Sequence, residues 1–193
     1  MNTVAGIRRL AGSFVVALIL AAVSIGPAAF AAAPAPKPPV YVTTAGRGDD
    51  FERVLAAAEA AGLKPTSSSG AICCDTLGFN SILVTFSSSP DALKAARTTE
   101  RVETGRVMDL MAKAKARGVF LIGVYLGGSG GRDPFEERLL NTCWKWLTCF
   151  IATANSDSDG FIRDATGANN IPLVIIESAA ELSDALRQAF GRS

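Results

Sequence analysis

From residue 40 onward the chain alternates two hydrophobic patterns: short runs of apolar and β-branched residues, and longer stretches whose apolar positions recur every three or four residues. The first pattern predicts strands at 40–44, 81–86, 119–126, 149–154 and 172–176, with a short one at 63–66 that leads into a Ser-rich loop or single turn. The second predicts helices. Phe51, Val54, Leu55 and Ala58 share one face of a helix that opens at Asp49-Asp50 and stops at Gly62. Val107, Leu110, Met111 and Ala114 do the same over 100–117, ended by Gly118. Asp133 as N-cap, Pro134 at the first helical position and Glu136-Glu137 in the first turn open a helix running to about 147. A short helix at 161–166 follows, and Ser178 with Glu181 predicts a capping box for a last helix with Leu182, Ala185, Leu186 and Phe190 inward.

Strands separated by helices at this spacing form right-handed βαβ units. The expected fold is therefore α/β, a three-layer, open, mostly parallel sheet of five or six strands, Rossmann-like or flavodoxin-like. Residues 119–126 are apolar apart from Gly123, the mark of a central strand covered on both faces. In such sheets ligands bind in the crevice outside the carboxyl ends of the strands, so functional residues are sought just after each strand.

The first 39 residues break the alternation. Arg8 and Arg9 precede an apolar run from 10 to 25, then Gly26-Pro27 and the tract Ala29-Phe30-Ala31, the order of a secretory signal peptide. Cleavage after Ala31 is expected, leaving a Pro-rich spacer at 32–39, a single domain at 40–193, and an exported protein, periplasmic or secreted, not held in the membrane. Composition then narrows the chemistry. With 19 Lys+Arg against 18 Asp+Glu the chain has no electrostatic footprint for nucleic acid. It has no histidine, which removes Ser-His and Cys-His nucleophilic pairs and imidazole zinc ligands.

Four polar segments follow predicted strands, and all should meet on one rim: 43–49, with Thr44, Gly46 and Asp49; 87–89; 127–133, with Gly127, Gly128, Gly130 and Arg132; and 155–160, with Asp157 and Asp159. The third is the strongest candidate, since glycines admit a ligand to backbone N–H groups, the next helix N-terminus favours an anion, and Arg132 supplies a charge. It lacks the Gly-Lys-Ser/Thr ending of a P-loop. Asn155-x-Asp157-x-Asp159-Gly160 opens like a calcium loop but has Thr166 where the bidentate Glu belongs, which favours an acidic loop capping a helix.

The four cysteines, Cys73, Cys74, Cys143 and Cys149, are expected as disulfide partners, because export delivers them to an oxidising compartment. A bridge from the Cys73-Cys74 segment to Cys143 or Cys149 is anticipated. Trp144 and Trp146 stand two apart and cannot share a helix face, so one indole should pack inside and the other offer a protein contact.

Thr43-Thr44-Ala45-Gly46, Gly127-Gly128 with Arg132 downstream, Phe135, Asp159-Gly160-x-Ile162 and Ile171-Pro172-Leu173 together resemble an uncharacterised family of exported bacterial α/β proteins. The resemblance spans nearly the whole mature domain and implies the fold and export. It implies nothing about chemistry, since that family has no established activity. It also departs at Ser89-Pro90-Asp91-Ala92-Leu93-Lys94, where the family has a Gly-rich Ser-x-Lys-Gly segment. The leading expectation is thus a non-catalytic domain that binds a small, anionic ligand at the rim and needs no cofactor. The alternatives are a hydrolase or transferase using Asp49, Asp157 or Asp159 with a divalent metal, and a protein-interaction module.

Overall fold

Every residue of the four inner strands is buried, so these strands are sandwiched between two layers of helices. The computed structural model describes residues 35–127 and 132–192. The expected signal peptide at 1–31, and Gly128 and Gly130 of the Gly-rich turn, lie outside the described residues. The strands are β1 (Val40–Ala45), β2 (Thr66–Ser67), β3 (Ser81–Phe86), β4 (Phe120–Tyr125), β5 (Cys149–Thr153) and β6 (Leu173–Ile176). All pair in parallel, in the order β2-β1-β3-β4-β5-β6. This is a doubly wound sheet in the flavodoxin-like order with one more strand, and its order reverses between β1 and β3.

Side chains alternate between faces along each strand, and each face builds its own core. On one, Val42, Leu83, Ile122 and Ile151 pack under Phe51, Val54 and Ala58 of α1 (Asp50–Ala60) and Leu182, Ala185 and Leu186 of α6 (Leu182–Ala189). On the other, Ile82, Val84, Leu121 and Phe150 pack under α2 (Pro90–Ala95), α3 (Glu100–Ala116), α4 (Pro134–Cys143) and α5 (Phe161–Ala168). Among the described residues no helix is long and apolar enough to cross a membrane.

The structure departs from the sequence pattern at four places. The strand expected at 63–66 is only Thr66–Ser67, because Leu63 is taken up by the end of α1: its N–H bonds to the Ala58 carbonyl across Gly62, closing a Schellman-type turn. A helix that the pattern did not predict, α2, begins at Pro90, with the Ser89 hydroxyl accepting from Ala92 N–H at 3.3 Å. The helix from Pro134 stops at Cys143 and tightens into a 3-10 turn at Trp144–Trp146. The Ser178 capping box does not form. A 3-10 turn at Ala179–Glu181 displaces the start of α6 to Leu182, and the Glu181 carboxylate accepts from Glu177 N–H instead.

The expected disulfide is not present, and all four cysteines are free. Cys143 and Cys149 are both buried, but Cys143 belongs to the core under α3 and α4 and Cys149 to the core under α1 and α6. The sheet therefore separates them. Cys73 and Cys74 lie on a surface 3-10 turn, Cys73–Thr76, against α3. Burial pushes the Cys143 and Cys149 thiols up to about 12. Trp144 is the buried indole, 4.9 Å from the Phe150 ring, and Trp146 is half-buried under Lys145, whose ammonium sits 4.4 Å from its ring centre.

The Phe150 ring lies directly across Gly123 on the neighbouring strand, where a Cβ would overlap it. Gly123→Ala should therefore overpack the centre of the sheet and lower stability by about 1–3 kcal/mol. Urea unfolding of the two proteins measures this.

Candidate functional site

At the β1/β3 switch point, the ligand crevice of this sheet class, the chain fills the space with its own side chains. After β1 the backbone turns sharply at Gly46, whose φ of +105° and contact with the Ser87 carbonyl leave no room for a side chain. The two loops that should diverge are instead tied together. Ser87 N–H donates to the Ala45 carbonyl at 3.1 Å, Gly48 N–H to the Ser87 carbonyl at 2.9 Å, and Arg47 and Ser88 form an antiparallel bridge.

Beneath them lies Glu103 of α3, with a fully buried side chain. Its carboxylate accepts from Gly46 N–H at 3.2 Å, Arg47 Nε at 3.0 Å, and Arg106 Nε at 2.9 Å. Arg106 also donates to the Thr44 and Ala71 carbonyls, both at 2.5 Å, so one guanidinium binds β1, α3 and the crossover after β2. Burial alone would raise the Glu103 pKa. The hydrogen bonds and charges of Arg106 and Arg47 outweigh it and hold the group ionised, below the ordinary value. Glu136 of α4 forms a second buried knot, accepting from Ser88 N–H at 2.7 Å, Tyr125 Oη at 3.0 Å and Asp133 N–H at 3.2 Å. Burial and the Glu136 charge raise the Tyr125 phenol well above its ordinary value, so it stays a donor.

The rim opens further along the sheet. A cleft of about 250 Å³ lies outside β4, β5 and β6 and is lined by Arg53, Leu126, Gly127, Thr153, Asn155, Ser156, Glu177, Ser178 and Ala179. Gly127 takes φ +68° at its edge, with the Ser156 side chain against its Cα. Arg53, on the second turn of α1, pairs with Asp50 at 2.8 Å and is more than half exposed. Larger hollows exist elsewhere. One of about 340 Å³ sits between α2 and the starts of α3 and α4 over Leu93 and Phe135, and another of about 400 Å³ includes Lys37 and Lys115 at the amino end of the sheet. Neither is bounded by the carboxyl ends of several strands, so the smaller polar cleft is the candidate.

The sequence candidates divide accordingly. Gly127 lines the cleft. Thr44 and Gly46 are buried in the filled switch point, and the Thr44 hydroxyl donates to the Thr85 carbonyl at 3.2 Å. Asp49 is exposed ahead of α1 and makes no capping bond. Arg132, anticipated as an anion clamp, is only 8% exposed: it pairs with Asp159, donates to the Ser156 carbonyl at 3.2 Å and stacks 4.0 Å from the Phe161 ring centre. Asp157 caps α5, accepting from Ile162 N–H at 2.7 Å and Arg163 N–H at 3.3 Å. Its other oxygen faces Arg163 Nε at 3.3 Å without the alignment of a hydrogen bond, so that contact is electrostatic only. Asp159 accepts from Phe161 N–H at 3.2 Å, and that bond, reinforced by Arg132, keeps its pKa low. Among the described residues no group of three or more His, Cys, Asp or Glu could hold a metal ion.

Ser156 lay within the 155–160 segment without being singled out, and Arg53, Glu177 and Ser178 lay outside all four candidate segments. A signal for the last two existed, because Glu177-Ser178 follows the final strand and must reach the same rim. Arg53 had none, since only the seating of α1 brings its side chain there.

A family model described as a domain of unknown function, DUF6305, matches residues 37–190. The chain belongs to that family. No curated protein and no solved structure matches it. The DUF6305 match covers every strand and helix described above, the filled switch point and the cleft included.

Two outcomes test the electrostatics of this DUF6305 domain. Glu103→Gln strands two guanidinium groups and should cost about 3–5 kcal/mol at neutral pH. Because the folded pKa lies below the unfolded one, the stabilisation from the carboxylate is complete above the ordinary glutamate value of 4.5 and is lost as pH falls through the folded value. Denaturant unfolding at pH 7 and pH 3 should therefore show wild type and variant converging in acid. Arg132→Ala should lower stability by about 1–3 kcal/mol, from the lost stacking on Phe161 and the bond to Ser156. Unfolding of that variant at neutral pH checks it, and an unchanged midpoint refutes the anchoring role.

Proposed function

We propose that this DUF6305 protein is an exported, non-catalytic domain that binds a small polar ligand in the cleft outside β4, β5 and β6. The single observation that carries the reading is the composition of that cleft, in which Arg53, Glu177 and the side chains of Thr153, Asn155, Ser156 and Ser178 border one hollow at the strand carboxyl ends. Such convergence of a few polar groups in a concavity is the usual form of a small-molecule site. Arg53 suits a carboxylate or phosphate, and Glu177 an ammonium or hydroxyl group. Export rests on the residue order of the first 31 positions. The enzymatic alternative is less well supported, because Asp157 and Asp159 are engaged by α5 and Arg132.

The test is a thermal-shift and calorimetric screen of amino acids, small carboxylates, phosphates and nucleotides on wild type, Arg53→Ala and Arg132→Ala. One class should raise the wild-type melting temperature, and Arg53→Ala should weaken its binding tenfold or more, the loss of one charge-assisted hydrogen bond. Absence of any stabilising compound, or equal affinity in Arg53→Ala, would overturn the assignment.

A further inference from the structure

The hollow of about 340 Å³ between α2 and the starts of α3 and α4 lies apart from the cleft outside β4, β5 and β6 and shares no lining residue with it. Its floor is apolar, formed by the buried side chains of Leu93 and Phe135, with exposed Pro90 beside them. The polar groups at its border fall into two kinds. Both carboxylates already have partners: Glu100 pairs with Arg138 at 2.5 Å, and Asp133 caps α4 by accepting from Phe135 N–H at 2.6 Å. Three donors do not. Lys94, exposed in the last turn of α2, pairs with no carboxylate among the described residues. Ser88 gives its N–H to Glu136 and Thr98 its N–H to the Leu93 carbonyl at 3.0 Å, which leaves both hydroxyls without a protein partner among the described residues.

We propose that this hollow binds a small monocarboxylic acid with an apolar body, its carboxylate toward Lys94 and its body over Leu93 and Phe135. An apolar ring or chain on that floor leaves water, the favourable half of the recognition. The carboxylate accepts from the ammonium and the two hydroxyls, which gives it direction. A cation finds no carboxylate that lacks a partner, and a more highly charged anion meets Glu100 and Asp133 on the same border. The volume stands at the low end for small-molecule pockets, so the body is one ring or a short aliphatic chain. The cleft suits other chemistry, since its lining includes no aromatic side chain among the described residues.

Calorimetry and NMR on the purified protein test this with phenylacetate, against acetate, which lacks the ring, and phenylethanol, which lacks the charge. Phenylacetate should bind and show NOEs to the Phe135 ring and the Leu93 methyl groups, and both controls should bind several-fold more weakly. Lys94→Met should weaken binding about fivefold, the upper range for an ion pair that stays partly solvated. Thr98→Trp, which puts an indole into the hollow, should abolish it with a native amide spectrum, and Arg53→Ala should bind as wild type does. No binding, NOEs confined to other residues, or equal affinity for phenylethanol or in Lys94→Met overturns the proposal. If Arg53→Ala loses phenylacetate while Lys94→Met keeps it, the carboxylate sits in the cleft: this inference then fails and the reading of the cleft stands.

Discussion

The structure depends on one buried carboxylate. Glu103 lies between the first strand's loop and the helix that crosses beneath it, and its two oxygens gather the Gly46 amide and the guanidinium groups of Arg47 and Arg106. A buried charge of this kind is tolerable only when it is both paired and hydrogen-bonded. Once it is, the geometry around it has few alternatives. Arg106 must reach the Thr44 and Ala71 carbonyls, Arg47 must take a left-handed turn at φ +66°, and the loops after β1 and β3 must close on each other.

That closure determines where this domain can bind anything. A doubly wound sheet opens a crevice where its strand order reverses, because the neighbouring loops there leave in opposite directions. Here the divergence is cancelled by backbone bonds at Ser87 and by the carboxylates of Glu103 and Glu136. A concavity that stays open on the rim lies between β4 and β6, where Gly127 and Ser156 shape the edge and Arg53 reaches over from α1. Charge used to hold the fold at one end of the rim is thus unavailable for ligand there, whereas at the other Arg53, in an exposed pair with Asp50, and Glu177 border an open cleft.

The same division applies to the cysteines. Cys143 and Cys149 behave as small apolar core residues, one on each side of the sheet, and their thiols are held protonated by burial. Cys73 and Cys74 sit on a surface turn, with no packing role comparable to the buried pair.

The α/β class, the five longer strands, the main helices and the start of α4 at Asp133 were legible in the chain itself, because hydrophobic period and capping are local properties. That the acidic loop at 155–160 caps a helix was legible for the same reason, though not that Asp157 is the residue that does so. Three things were not. Whether Arg132 faces a ligand or Phe161 depends on where α5 lands. Whether Cys73 or Cys74 can meet Cys143 or Cys149 depends on where each lands, the first two on a surface turn and the others inside the two cores. Whether the switch point is open depends on Glu103, which in sequence is one more polar residue in the first turn of a helix. The sequence by itself determined the elements and their alternation, since each follows from residues within a few positions of one another. Only the tertiary structure decided the site, because the contacts that close one crevice and leave the other join residues such as Gly46 and Glu103, or Arg53 and Ser178, that local pattern cannot relate.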